Sequence, residues 1–209
     1  MRKSSSDNIY ETIKNDLLVG NIDFGDKIVE IDYANKLNVS RTPLREAIKK
    51  LEIEGIIERL PNGRLRVMEI TPQKIDEIFE IRICLEGILF DSIIKNKNEI
   101  ERIYQNLVLT KYLIDTENWS EVRRLFLEYN SLVYSASSLE YAVKILRHYD
   151  FIISALKRKS LKNENRILKA YNEHLEIINL LKEDELEKAK EANRIHLLNA
   201  KEGVKNAIK

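Results

Sequence analysis

Two sets of side chains in this sequence have the types and spacing to do chemistry. The first is the run Val39-Ser40-Arg41-Thr42-Pro43-Leu44-Arg45-Glu46-Ala47. Arg41 and Arg45 stand at i and i+4, one turn apart on a helix, and an arginine can present two parallel donors to a guanine edge. Ser40 and Thr42 fall at the helix start, where hydroxyls and free amides together favour a phosphate oxygen. Such groups have the chemistry to meet duplex DNA, but on an arbitrary basic helix two arginines more often only make a solvated face. Further on, Pro61-Asn62-Gly63-Arg64 supplies a turn whose glycine lets the backbone approach a phosphate closely, with an arginine beside it. The neighbouring Lys49, Lys50 and Arg66 are of types that usually only solvate a surface.

The second set is His174 and His196, two imidazoles within helical patterns. Imidazoles ligate metals or bond a polar ligand, but two histidines on helices are, by themselves, ordinary. His148 has no matching role. Tyr129, Tyr134, Tyr141, Tyr149 and Tyr171 are spaced either to line a pocket or to fill a core, and aromatic residues at helical spacing are more often core.

The elements that must position these groups can be read from periodicity. Ile9, Ile13, Leu17 and Leu18 define a first helix over about 8–19, closed by Gly20-Asn21. Ile28 to Ile31 reads as a short extended piece and Asp32 to Leu37 as a brief helix. Asn38-Val39-Ser40 is a tight connection to a helix running to about Glu54, with Pro43 in its first turn and Leu44, Ala47, Ile48 and Leu51 on its inner face. Ile56 to Leu60 and Arg64 to Met68 flank Asn62-Gly63 as a hairpin. Helix, short helix, helix and hairpin in that order make a winged helix-turn-helix over residues 1–70. From Thr71-Pro72 onward the pattern is helical, with helices at roughly 72–95, 98–115, 119–137, 139–158, 163–182 and 184–206, so residues 71–209 form a helical bundle and the fold class is mainly α.

Composition sets outer limits. The 209 residues are 44% hydrophobic and 33% charged with a formal net charge of +1, which suits a chain of amphipathic helices and gives no global sign of nucleic-acid binding. The basic excess is local, between Arg41 and Arg66. No apolar stretch approaches the roughly 20 residues of a membrane span, and the N-terminus lacks a signal-peptide apolar region, so a cytoplasmic protein is expected. The single cysteine, Cys84, excludes an internal disulfide, and its neighbours Ile81, Ile83 and Leu85 suggest a buried, inert thiol.

The Val39 to Ala47 run, with Leu51, Glu54-Gly55-Ile56 and the Asn62-Gly63 tip, resembles the recognition element of GntR-type transcriptional regulators. The helical half resembles the ligand-binding domain of the FadR branch of that family, the FCD type. Ile81-Arg82-Ile83-Cys84-Leu85-Glu86 is similar to its opening arginine-to-glutamate helix, and Glu173-His174 with His196 is similar to two of its metal-ligand positions. The resemblance implies a homodimeric regulator that binds an inverted-repeat operator and answers to a small organic acid. It assigns Ser40, Arg41, Thr42, Arg45, Asn62, Gly63 and Arg64 to DNA, and Arg82, Asn130, His174 and His196 to the effector. Relatives with a metal carry an Asp and a His where this chain has Phe126 and Asn130. Phe cannot ligate a cation and Asn replaces imidazole poorly, so zinc or nickel on His174 and His196, with Asn130, Glu128 or solvent completing the site, is expected to bind weakly or not at all.

Two other classes are weighed against this reading. One is a dimeric repressor whose helical module senses nothing. The other is a helical enzyme using a metal on the two histidines, opposed by the absence of a nucleophile motif, a glycine-rich phosphate loop or a complete ligand quartet, so no enzyme is expected.

Overall fold

The computed structural model describes residues 5–157 and 163–207. The chain divides after Thr71 into two compact units.

In the first unit, helix α1 (Ser5–Val19) buries Ile9, Ile13 and Leu17 on one stripe against α3 (Arg41–Ile53), whose Leu44, Ala47, Ile48 and Leu51 are also buried. Helix α1 stops where Gly20 turns to φ 85, and the amides of Gly20, Asn21 and Ile22 all bond the Asp16 carbonyl. The buried Asp16 carboxylate accepts from Asn21 and, at 2.8 Å, from Lys36, tying α1 to α2 (Glu30–Leu37). Asn38 takes a left-handed conformation (φ 50) and ends α2, leaving two residues before α3 begins.

The wing is larger than the expected hairpin. Strands β2 (Ile57–Arg59) and β3 (Leu65–Val67) pair antiparallel, and β1 (Lys27–Ile28) adds to the other edge of β3, giving the order β1-β3-β2. The extended piece expected from Ile28 to Ile31 is therefore only half right. Val29 is extended, but its carbonyl accepts from the Tyr33 amide, and Glu30 and Asp32 sit in the first turn of α2, where negative charge complements the helix dipole. Between β2 and β3 the chain turns over Leu60 to Gly63, the Gly63 amide bonding the Leu60 carbonyl, with Gly63 at φ 77.

The second unit holds α4 (Pro72–Ile93), α5 (Lys97–Asp115), α6 (Trp119–Ser135), α7 (Glu140–Lys157), α8 (Glu164–Lys182) and α9 (Leu186–Ala207), each end within two residues of the expected one. Asn96, Asn118 and Asn163 cap α5, α6 and α8, their side chains accepting from the amides of Glu99, Glu121 and Arg166. Helix α9 packs along α4 and α8, and α8 also meets α5, so the C-terminal helices run through the middle of the bundle. The buried stripe of α4 runs through Phe79, Arg82, Glu86, Leu89 and Ile93. Cys84 lies off that stripe and is exposed, which corrects the buried thiol expected from its apolar neighbours. No described helix is long and apolar enough to cross a membrane.

Candidate nucleic-acid interface and effector site

Helix α3 is held by its buried face, so its other face is free to meet a ligand. Ser40 is the extended N-cap residue and makes no side-chain cap bond. Arg41 and Thr42 follow, both exposed, and Arg41 has no ion pair or hydrogen bond among the described residues. Arg45 is exposed on the same face, but its Nε donates to Glu30 at 2.8 Å.

At the wing tip, Asn62 Oδ1 accepts from the Arg64 amide, which shapes the turn. The Arg64 side chain projects into solvent. Arg59 donates to both Glu52 oxygens and to the Gly63 carbonyl, so it braces the wing against α3, a role that sequence reasoning did not assign. The Glu52 and Arg59 charges are seven residues apart and meet only because Gly55 reverses the chain between them. Lys50 pairs with Asp7, and Arg66 with Glu58 and Glu69, which leaves both engaged within the unit.

The helical unit buries a polar cluster. Arg82 is 1% exposed, and its Nε and Nη2 both donate to Glu86 Oε1, at 3.0 and 2.8 Å. Tyr134 donates to the same oxygen, and Asn193 Nδ2 donates to Glu86 Oε2 at 3.0 Å. A buried ion pair persists only with such additional bonds. Burial acts against the charge of Arg82, yet Glu86 holds the guanidinium protonated. This cluster binds α4, α6 and α9 together, and Arg82 lines neither cleft described below.

Beside it, His174 of α8 and His196 of α9 hold their Nε2 atoms 3.2 Å apart. The proton positions follow from their partners. Burial, followed for His174 by His196 and then by the charges of Lys157, Arg166 and Arg82, pushes its pKa well below the usual histidine value, and burial with the same three cations does so for His196. Both rings are neutral. His196 Nδ1 lies 2.7 Å from the Glu173 carboxylate, which only accepts, so Nδ1 carries the proton and Nε2 is bare. His174 therefore donates from Nε2, and its Nδ1 is a bare acceptor, buried and without a hydrogen-bond partner. Asn199 donates to the other Glu173 oxygen and fixes the relay.

The Tyr129 ring stacks on His174 with centroids 3.7 Å apart, and Phe126 lies 5.0 Å away on a near-parallel plane. Two narrow clefts border the pair, of only about 20 and 10 Å³. Phe126, Lys157 and His196 line both, with Arg166 and Gly203 in the first and Asn130, Ser154 and His174 in the second.

These residues do not fit a metal ion. Asn130 spends its amide nitrogen on Asp150 at 2.6 Å, and Glu128 is exposed and paired with Arg124. Phe126 offers a hydrocarbon ring. Among the described residues no three His, Cys, Asp or Glu side chains are grouped to hold a metal, and two neutral nitrogens fall short of the usual four ligands. His148 lies apart, its ring edge against Tyr149. Of the tyrosines, Tyr129, Tyr134 and Tyr171 are core, while Tyr141 is exposed.

A three-stranded wing on a helix-turn-helix, joined in one chain to an all-helical unit with a buried histidine pair, defines a class of two-domain transcription factor. Residues 5–67 match the description "Bacterial regulatory proteins, gntR family", and residues 77–199 match the FCD domain. The chain belongs to the GntR family of transcriptional regulators and carries the FCD type of helical domain. It is 27% identical over 196 residues to the HTH-type transcriptional regulator YdhC of Bacillus subtilis (strain 168), covering 90% of this chain and 84% of that protein. It is 38% identical over 79 residues to the gluconate operon transcriptional repressor of the same organism, covering 38% of this chain and 32% of that one. Among solved structures, McbR/YncC of E. coli superposes with a TM-score of 0.75 at 16% identity over 94% of both chains, a likeness of fold.

Proposed function

We propose that this regulator binds an inverted-repeat operator as a homodimer in the cytoplasm, that its affinity is set by a small organic acid in the helical unit, and that it catalyses no reaction. The observation that carries the reading is the exposed N-terminal face of α3, where Ser40, Arg41 and Thr42 are all unengaged and Arg45 is beside them. Ser40 and Thr42 take phosphates, Arg41 and Arg45 read base edges, and Asn62, Gly63 and Arg64 bring the wing to the backbone. The effector cavity lies at His174 and His196, with Asn130 in its wall and Arg82 behind it as an electrostatic support. An effector changes DNA affinity only as far as it binds two arrangements of the dimer unequally, typically by about 1 to 3 kcal/mol.

Selection of bound DNA from a random pool, followed by a screen of small carboxylic acids for release, tests this. Failure to enrich any sequence overturns it. The narrowness of the clefts favours a second reading, a repressor that senses nothing. Ligand-induced thermal stabilisation separates the two, because a binder of the native state raises the melting temperature by mass action.

A further inference from the structure

The wing hangs from the reading helix by a short pivot. Helix α3 ends at Ile53 and β2 starts at Ile57, and the link between them turns on Gly55, whose φ of 71 is left-handed. The Gly55 and Ile56 amides close this turn on the carbonyls of Glu52 and Leu51. The base of the wing is anchored by the buried side chains of Ile57, Leu65 and Val67. Its tip, Pro61 to Arg64, lies beyond that anchor with all its residues exposed, and strands this short do not hold a tip rigid by themselves.

The side chain that spans the pivot is Arg59, the last residue of β2. Its Nε donates to Glu52 Oε1 at 2.9 Å and its Nη2 to Glu52 Oε2 at 3.2 Å, while Nη1 reaches the Gly63 carbonyl at 3.3 Å. One planar guanidinium thereby joins the last turn of α3 to the tip of the wing, which the single ammonium of a lysine has no fork to do.

The place of Glu52 on its helix shows what the pair is for. Glu52 follows Arg45 by seven residues and Arg41 by eleven, spacings that return to the same stripe of an α-helix. The DNA-reading stripe therefore carries a carboxylate, and a bare negative charge there opposes a phosphate backbone. Arg59 neutralises it. The pair as a whole adds no net attraction to DNA, so its contribution is geometric.

We propose that Arg59, clamped on Glu52, is a positioning residue for DNA binding: it locks the wing tip to α3 so that Asn62, Gly63 and Arg64 meet the backbone while Arg41 and Arg45 lie in the groove. The inference rests on the DNA-binding reading above and extends it to two residues that act without touching DNA. With the tip fixed beforehand, the cost of ordering it falls on folding and not on binding.

The test is fluorescence anisotropy of the full chain over a salt series, on a mixed-sequence duplex and on a duplex recovered by selection. Glu52→Gln sets two accounts of the pair against each other in sign. If charge alone mattered, removing a carboxylate beside DNA would tighten binding. Loss of the clamp instead weakens it about tenfold and flattens log Kobs against log salt by about 1, because Arg64 no longer holds its phosphate. Arg59→Gln does the same, and so does Arg59→Lys, which keeps the charge and loses the fork. In an Arg64→Ala background the effect of either Gln variant shrinks to about twofold or less, the mark of residues that act through one another. Glu52 and Arg59 are 24% and 48% exposed, and thermal melts check that each variant is folded. If one position does not tolerate substitution, the other carries the test. The clamp is overturned if Glu52→Gln tightens binding or leaves it unchanged, if Arg59→Lys binds like the wild type, or if the losses from Arg59→Gln and Arg64→Ala simply add. A chain that binds neither duplex overturns the DNA-binding reading and the clamp with it, whereas binding that falls with Arg41→Ala but is untouched at Glu52 and Arg59 overturns the clamp alone.

Discussion

The guanidinium of Arg45 lies 2.8 Å from the Glu30 carboxylate, so one of the two arginines presented by α3 reaches a base edge only by giving up a partner. Arg41 makes no such exchange. Exposed ion pairs are worth about 0.2–1 kcal/mol, which is less than the 1–3 kcal/mol of a good bidentate contact to guanine, so the exchange is favourable on the right sequence. Arg41→Ala and Arg45→Ala are each expected to cost about 1–3 kcal/mol in operator binding and to relax base preference, with folding nearly unchanged. Glu30→Gln is expected to tighten binding to specific and random DNA alike by up to about 1 kcal/mol. Anisotropy titrations at matched salt measure all three, and an arginine variant with full affinity and selectivity loses its assigned role.

Arg64 on the wing has a different signature. A phosphate contact carries no sequence information but releases counterions, so Arg64→Ala should weaken binding to every sequence and lower the steepness of log Kobs against log salt by about 1. An unchanged salt slope would place the Arg64 side chain away from the DNA backbone.

A dimer is expected from the size of the reading surface. A single recognition helix touches few base pairs, and two-fold symmetry doubles them. Sedimentation equilibrium at micromolar concentration should give twice the chain mass, with one dimer per inverted repeat. A monomer bound to an isolated half-site would contradict this.

The neutral histidine pair makes stability depend on pH with a definite sign. His174 and His196 resist protonation when folded, because burial disfavours the imidazolium and nearby cations repel it. In the unfolded chain both take up protons near pH 6.5. The unfolded state then binds more protons than the folded one, so stability is intact above about pH 6.5 and falls as the pH drops through it, by up to about 1.4 kcal/mol per pH unit for each histidine. Urea midpoints at about pH 7.5 and pH 5.5 should differ accordingly. A His174→Gln, His196→Gln double variant should flatten the difference, and an unchanged pH dependence in that variant would mean that the pair is not its source.

The parts of the molecule that periodicity or local motifs encode were legible without coordinates. The stripe Leu44, Ala47, Ile48 and Leu51 set the inner face of α3, and the Asn62-Gly63 turn set the wing. Strand β1 was half legible, because two residues carry no period and Lys27 and Ile28 become a strand only by pairing with Arg66 and Leu65. Cys84 was misplaced since its apolar neighbours in sequence fall on other sides of α4. The two histidines stood out by type, but Glu173 as the acceptor for His196, and Lys157 and Arg166 as the cations beside them, depend on how α7, α8 and α9 meet. Charged residues are common on helices, and nothing local marks the few that turn inward.

The exposed position of Cys84 makes the chain a ready subject for spectroscopy. With one thiol in the sequence and that thiol accessible on α4, a maleimide dye or nitroxide attaches at a single known place without any prior mutation. In a symmetric dimer the two labels form one pair, and their separation is a single distance distribution rather than an overlay of several. That distribution, recorded with and without operator and with and without acid, would count the arrangements the protein visits and report which of them each ligand selects.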